Sequence, residues 1–206
     1  MAAIDKLTAG FRVFRAKYFD QRPEIYEDLV KVGQSPGVMV IACSDSRVDP
    51  AILLNAEPGE LFVVRNVANL VPPYQPDGHY HGTSAALEFA VRDLGVRDVV
   101  VLGHSRCGGM EALRRSLTGN PVAREFIGPW VSIVEPHTCS HEAADAELSR
   151  RLEEAAIRTS LTNLRTFPWV AEAERTGKLA LHGWWFDLEA GALFGVQPDG
   201  EFAQMS

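Results

Sequence analysis

Val38-Met39-Val40-Ile41-Ala42 is an apolar run with no polar interruption, entered from the turn-forming Gln34-Ser35-Pro36-Gly37. A strand with one wet face alternates apolar and polar residues. An unbroken run is the pattern of a strand covered on both faces, as in a parallel sheet. Leu61-Phe62-Val63-Val64 and Val99-Val100-Val101-Leu102 repeat it, each after a Gly- or Asp-containing turn. Between these two runs, Ser84 to Leu94 carries Ala85, Leu87, Phe89, Ala90, Val91 and Leu94 and reads as a helix. Strand, helix and strand in that order predict a crossover unit and hence an α/β fold.

Working outward, Leu7, Phe11, Phe14, Tyr18 and Phe19 recur at helical spacing between Ile4 and about Lys31, broken at Arg22-Pro23. That spacing predicts two amphipathic helices. Glu142 to about Thr166 is a further helix-rich stretch, closed by Phe167-Pro168. Leu179–Phe186 and Ala192–Val196, joined by Leu-Glu-Ala-Gly, read as a terminal hairpin. With no repeat, low-complexity segment or long linker, the expectation is one domain over residues 1–206. Residues 1–34 form a helical arm in this scheme. Residues 35–206 form an α/β core, a central and mostly parallel sheet flanked by helices, with the hairpin at its end.

Composition narrows the function classes. The 206 residues are 46% hydrophobic and 23% charged, ordinary globular proportions that exclude a disordered, collagen-like or coiled-coil chain. The 27 acidic residues exceed the 20 basic ones, giving −7, which argues against a non-specific grip on nucleic acid or anionic membranes. The opening MAAIDKLTAGFRVFRAKYFD lacks the apolar core of a signal peptide, and no apolar run approaches the ~18 residues of a membrane span. A cytoplasmic protein is expected. Its three cysteines, Cys43, Cys107 and Cys139, are too few for a disulfide framework, so they are candidates for metal ligation, nucleophilic chemistry or core packing.

Two motifs follow predicted strands directly: Ala42-Cys43-Ser44-Asp45-Ser46-Arg47 and Gly103-His104-Ser105-Arg106-Cys107-Gly108-Gly109. Open parallel sheets bind ligands outside the carboxyl ends of their strands, so both motifs should open onto one crevice. His104 and Cys107 are three apart and would share a helix face if the glycines open a helix there. With Cys43 they offer two thiolates and an imidazole, a donor set suited to zinc rather than to magnesium, calcium or manganese. Three protein ligands leave a fourth position for water, the mark of a catalytic site. Zinc between two thiolates acidifies water less than zinc among neutral histidines. Asp45 could then orient that water and favour hydroxide as nucleophile, or bind the metal itself and shut the site. Arg47 offers a fork of donors that would hold the Asp45 carboxylate back.

The sequence here resembles the β-class carbonic anhydrases, which hydrate carbon dioxide to bicarbonate and a proton. The resemblance rests on Cys43-Ser-Asp-Ser-Arg47, Pro58-Gly-Glu-Leu-Phe-Val-Val-Arg-Asn-Val-Ala-Asn69, Ser84-Ala-Ala-Leu-Glu-Phe-Ala-Val91, Gly103–Gly109 and His182-Gly-Trp-Trp-Phe-Asp187. It implies one zinc per chain on Cys43, His104 and Cys107, with Asp45 and Arg47 the catalytic pair. It also implies a substrate pocket that includes Gln34, Phe62, Phe89 and Gly108. Plant-like members often carry Tyr where Phe89 stands, so a hydrogen bond from that position is missing here. A subgroup regulated by bicarbonate carries Trp where this chain has Val40, which places this chain with the open-site members. Members are dimers or higher forms whose N-terminal helices embrace a partner, and an apolar-faced arm before the first strand agrees. The expected partners are a small-molecule substrate and further copies of this chain, as homodimer or homotetramer, with no nucleic acid and no membrane. Hydrolysis of carbon disulfide or carbonyl sulfide and a catalytically silent zinc protein are the alternatives. The Asp45–Arg47 pair argues against the silent protein.

Other conspicuous residues read more plainly. His137, Cys139 and His141 suggest a second cluster, but Pro136 before them favours a solvated helix start. His79 and His81, in a Pro- and Gly-rich loop, read as exposed loop histidines rather than as a proton relay. Trp184-Trp185-Phe186 reads as packing. Arg65-Asn66 fits either the crevice floor or an interface. Gly103–Gly109 lacks the Lys-Ser/Thr ending of a phosphate-binding loop.

Overall fold

The apolar runs lie side by side in a six-stranded sheet, Val38–Ala42 and Val99–Leu102 inside it and Leu61–Val64 in its edge strand. A computed structural model of the chain describes residues 2–134 and 145–205. The strands are β1 (Val38–Cys43), β2 (Leu61–Asn66), β3 (Asp98–His104), β4 (Ala180–Asp187), β5 (Ala192–Val196) and β6 (Phe202–Gln204), in the spatial order β2-β1-β3-β4-β5-β6. β2, β1, β3 and β4 are parallel, while β5 and β6 add on in antiparallel fashion. Ile41 stands beside Val64 on one side and Val101 on the other.

Burial explains why β1 and β3 carry no polar alternation, whereas β2, expected to be covered on both faces, lies at the sheet edge, only partly buried and with Val63 exposed. Met39, Ile41, Val99 and Val101 face one cluster with Leu87, Ile157 and Leu161, while Val40, Ala42, Val100 and Leu102 face the other way, and all are buried. Each such side chain contributes about 1.5–3 kcal/mol when fully buried, so a polar residue on either face would be costly.

The helices are α1 (Ala3–Arg15), α2 (Pro23–Val32), α3 (Pro50–Leu53), α4 (Gly82–Glu88), α5 (Gly108–Leu117), α6 (Ile127–Val131), α7 (Asp145–Leu164) and α8 (Pro168–Arg175). α3 lies between β1 and β2, α4 between β2 and β3, and α5 to α8 between β3 and β4. The expected helix over Ser84–Leu94 starts at Gly82 and ends in a wider π-helical turn, Phe89–Leu94, stopped by Gly95 at φ +67°. The expected hairpin is also more than a terminal appendage: β4 pairs with β3 along its whole length, from Ala180 beside Asp98 to Phe186 beside His104.

The chain divides into two compact units, Met1–Ser35 and Pro36–Ser206. In the first, α1 and α2 are joined by a π-helical turn, Ala16–Gln21, and by stacked rings, with Phe19 and Tyr26 at 4.7 Å and Phe14 and Tyr18 at 5.0 Å between centroids. None of its helical residues is buried. The second holds the sheet. Within it the chain runs from β1 outward to β2, then back across β1 to β3, so strand order reverses between β1 and β3. Such a reversal opens a crevice at the carboxyl ends of the two strands.

Candidate metal centre

Cys43 is the last residue of β1 and His104 the last of β3, so adjacent strands deliver both to the crevice. Cys107 follows in the turn and N-caps α5. His104 and Cys107 therefore do not share a helix face, contrary to expectation, because the helix opens only at Gly108. They are brought together by Arg106, whose backbone is left-handed at φ +57°. The ligand atoms of Cys43, His104 and Cys107 lie within 4.8 Å of one another, and all three residues are buried.

Several contacts fix these ligands. His104 Nδ1 is 2.8 Å from the Ser105 carbonyl, which can only accept, so the neutral ring carries its hydrogen on Nδ1. Nε2 is then left with a bare lone pair, buried and without a hydrogen-bond partner among the described residues. An orphaned imidazole nitrogen beside two sulfurs 4.0 Å apart is the donor set that zinc requires. Cys43 Sγ accepts the Ala68 N–H at 3.4 Å. That N–H is aimed by a tight turn, Val67–Asn69, in which Ala68 (φ +66°) and Asn69 (φ +50°) are left-handed and which Asn66 clamps through Leu70 at 2.8 and 2.9 Å. Gly109 passes so close to this turn that a Cβ there would meet Val67 at 2.8 Å and Ala68 at 2.9 Å. Gly103 likewise has Ile157 of α7 where its Cβ would be, at 2.8 Å.

The sulfurs of Cys43 and Cys107 are close enough to hydrogen-bond, at 4.0 Å. The Cys107 thiol donating to Cys43 pulls Cys43 well below the ordinary thiol range, against its own burial, and Cys107 is pushed up by that bond and by burial. Burial works against a charged His104, but the adjoining Cys43 sulfur and its negative charge outweigh it and raise the imidazole. Metal binding to such ligands releases the protons they still carry.

Asp45 stands over this group with Oδ2 4.0 Å from His104 Nε2. Arg47 grips it at both oxygens, Nε to Oδ1 at 2.9 Å and Nη2 to Oδ2 at 2.7 Å, and the Arg47 backbone N–H adds a third bond at 3.0 Å. The guanidinium bonds first, then the backbone N–H, hold the Asp45 carboxyl well below the usual carboxylate range. Arg47 also donates to the Arg106 carbonyl at 3.2 Å, linking the two loops. Arg65 braces the first loop from beneath, donating to the carbonyls of Cys43 (3.0 Å) and Asp45 (2.7 Å) and pairing with Asp49 at 2.8 Å. It belongs to the crevice floor.

A cavity of about 520 Å³ opens over Cys43 and Asp45, walled by Val67, Gly108, Ala112, Val122 and Ile127 among others. Gly108, named by the resemblance, is among its lining residues. Phe62 and Phe89 are not among the lining residues. They pair with each other, 5.9 Å between centroids, because Phe62 lies near the start of β2 and the crevice is at strand ends. Gln34 lies in the first compact unit. His79 and His81 stand about Asp77 instead, His81 Nε2 at 2.6 Å. His137, Cys139 and His141 lie outside the described residues. Glu153 was not singled out in the sequence, yet it accepts the Cys107 N–H at 3.2 Å. Burial raises its carboxyl, with that bond and the Trp185 N–H acting in the opposite direction. Its only sequence signal is a Glu among many on a Glu- and Arg-rich helix.

Residues 38–193 match the family model described as carbonic anhydrase. The chain belongs to the β-class carbonic anhydrases. It is 36% identical over 196 residues to β carbonic anhydrase 3 of Arabidopsis thaliana, covering 92% of this chain and 75% of that one. Its fold superposes on the β-carbonic anhydrase CcaA with a TM-score of 0.85 at 30% identity, covering 98% of this chain and all of the other. One of two tetrameric β-carbonic anhydrases from Sordaria macrospora gives a TM-score of 0.77 at 26% identity, covering 96% and 95%. As a β-carbonic anhydrase the chain is a zinc enzyme that interconverts carbon dioxide with bicarbonate and a proton.

Proposed function

We propose that the reaction takes place in the crevice between the loops after β1 and β3, with zinc on Cys43, His104 and Cys107 and with Asp45 and Arg47 as the working pair. The convergence of an unpartnered Nε2 with two sulfurs beneath a doubly held carboxylate carries this assignment. Zinc, when bound, supplies the Lewis acidity that lets water give up a proton near neutral pH.

The chain's own residues do the rest. Asp45 accepts a hydrogen bond from the attacking water and orients it, and the proton leaves to the solvent that the 17%-exposed carboxylate touches. Arg47 keeps both carboxylate oxygens engaged, so Asp45 cannot turn onto the metal without breaking a bidentate pair. Val67, Ala112, Val122 and Ile127 offer carbon dioxide an apolar wall. With Val40 on β1, the chain fits the open-site members, with weak inhibition by bicarbonate.

The active form is a homo-oligomer, dimer or tetramer. The apolar side chains Leu7, Phe11 and Val30 of α1 and α2 are 60–80% exposed, and a second copy is the natural cover for them. Phe62 and the 44%-exposed Phe89, remote from their own chain's crevice end, reach a substrate pocket only as the partner's wall. Gln34 keeps the role that the resemblance gives it, an amide donor for bicarbonate. Free, reduced Cys43 and Cys107 suit a reducing compartment such as the cytoplasm.

Stopped-flow carbon dioxide hydration with a pH indicator, on metal-analysed protein, tests the assignment. Fast hydration with zinc at about one per chain is expected. Zinc without hydration above the buffer rate overturns it. A Phe11→Asp chain that sediments like the unsubstituted one would remove the arm from the assembly.

A further inference from the structure

Behind the second ligand loop lies a buried carboxylate that the reaction does not use. Glu153, on α7, is 4% exposed. Its Oε1 accepts the backbone N–H of Cys107 at 3.2 Å and its Oε2 accepts the indole N–H of Trp185, on β4, at 3.1 Å. Among the described residues no arginine or lysine forms a salt bridge with it: Arg150 turns to Glu154 at 2.9 Å and stacks over the Trp185 ring, 4.9 Å from its centroid. An apolar side chain would fill this space without the desolvation that a carboxylate suffers. It could not accept from two donors at once. An amide would keep only one of the two bonds, since the donors meet different oxygens and glutamine would turn its NH2 toward one of them.

The amide that Glu153 holds belongs to a metal ligand that its own loop supports poorly. Cys107 follows Arg106, an L residue held at φ +57°, and its N–H is outside the hydrogen-bond ladder of α5, which it caps. The loop is pinned from behind, by a long helix that also packs Ile157 against Gly103.

We propose that Glu153 is a positioning residue for the metal: by gripping the Cys107 amide it fixes that sulfur against Cys43 and His104 and sets how firmly zinc is retained. This rests on the three-ligand zinc site assigned above. Glu153 touches neither substrate nor metal and acts through Cys107.

Zinc transfer to a chelator, the visible spectrum of the cobalt-substituted enzyme and the Tm of zinc-free protein together test it, on full-length Glu153→Gln, Glu153→Asp and Leu164→Ala. Glu153→Gln should release zinc about 10–100-fold faster and shift the cobalt bands, as loss of an outer partner of a metal ligand does. Glu153→Asp, with both acceptors on a shorter stem, should fall between the unsubstituted chain and Glu153→Gln. It carries the test if the glutamine variant does not fold. Leu164→Ala, which removes a fully buried side chain of the same helix in the core cluster away from the ligands, should lower Tm yet release zinc at the unsubstituted rate. Release by Glu153→Gln or Glu153→Asp at the unsubstituted rate overturns the proposal, as does Leu164→Ala releasing zinc as fast as either. A wild type that holds zinc but does not hydrate carbon dioxide, with Glu153→Gln still faster in release, overturns the assigned reaction and upholds the role of Glu153. A wild type that binds no zinc overturns both.

Discussion

The loops after β1 and β3 meet at the same metal centre and are held in different ways. The first, Cys43–Arg47, is held by side chains: Arg47 on Asp45, and Arg65 on the carbonyls of Cys43 and Asp45. The second, His104–Gly109, is held through its backbone: a left-handed Arg106, a Gly109 with no room for a Cβ, and a Cys107 amide on buried Glu153. Exposure divides by task and not by loop: Cys43, His104 and Cys107 are buried, at 4%, 1% and 3%, while the Asp45 and Arg47 side chains stand at 17% and 49% and the Arg106 side chain at 69%. Metal ligands work best when they cannot move, whereas a group that handles water must touch it. One crevice serves both needs by burying one sulfur from each loop beside the imidazole and leaving the carboxylate at the rim.

The sharpest break in that comparison is Cys107→Ala. Losing one of three ligands from the rigid loop should strip the metal and leave hydration at the buffer rate, with zinc absent from the purified protein by metal analysis. Asp45→Asn should behave differently. On the assignment proposed above it should keep zinc and lose about 10²–10⁴-fold in kcat/KM, the usual range for a side chain that assists a proton transfer. If Asp45→Asn also lost its metal, the division by task would fail.

Next in size is Arg47→Ala, for which a roughly tenfold loss of kcat/KM with zinc retained is expected, since the carboxylate survives but its orientation does not. Surface ion pairs contribute little to stability, and this pair is half open to solvent, so Tm should hardly change. The pH dependence has a definite sign. The native Asp45 carboxyl is depressed, so what the pair contributes is complete above the ordinary Asp value of about 3.9 and is lost only as pH falls through the lower native value. In Arg47→Ala the pair's contribution is gone at every pH and Asp45 should protonate at higher pH. A carboxyl-carbon NMR titration of Asp45 that did not move upward would show that Arg47 is not the cause.

Much of this was legible in the sequence because it is local. Val38–Ala42, Leu61–Val64 and Val99–Leu102 announce β1, β2 and β3 by unbroken apolarity, and Cys-x-Asp-x-Arg puts a carboxylate and its arginine on one turn where their pairing is nearly obligatory. What was hidden is non-local. The pairing of β4 with β3 depends on a long helical crossover, four helices among the described residues, that no period in Leu179–Phe186 encodes. Arg65 reaches the β1 loop from the neighbouring strand, and Glu153 reaches Cys107 from 46 residues away. The three-residue spacing of His104 and Cys107 suggested a shared helix face. The structure replaces it with a left-handed turn, because α5 begins only at Gly108, and an arginine gives no hint of positive φ.

That turn supplies the smallest and most exacting test. A non-glycine residue in the left-handed region costs about 1–2 kcal/mol, and glycine removes that cost while losing about 0.5–1 kcal/mol more conformational freedom on folding. Arg106→Gly should therefore raise Tm by about 2 °C, since 1 kcal/mol moves a chain of this size by roughly 2–4 °C. Activity should be kept, because the Arg106 carbonyl still faces Arg47. Arg106→Ala separates backbone from side chain. It loses the same ion pair to Glu189, whose partners are 69% and 64% exposed and contribute about 0–1 kcal/mol at most, but it keeps the strained backbone, so its Tm should stay level or fall slightly. A rise in glycine without a rise in alanine places the strain in the backbone of the rigid loop. Equal falls in both would mean that the Arg106 side chain holds the turn, and the second loop would then be built like the first.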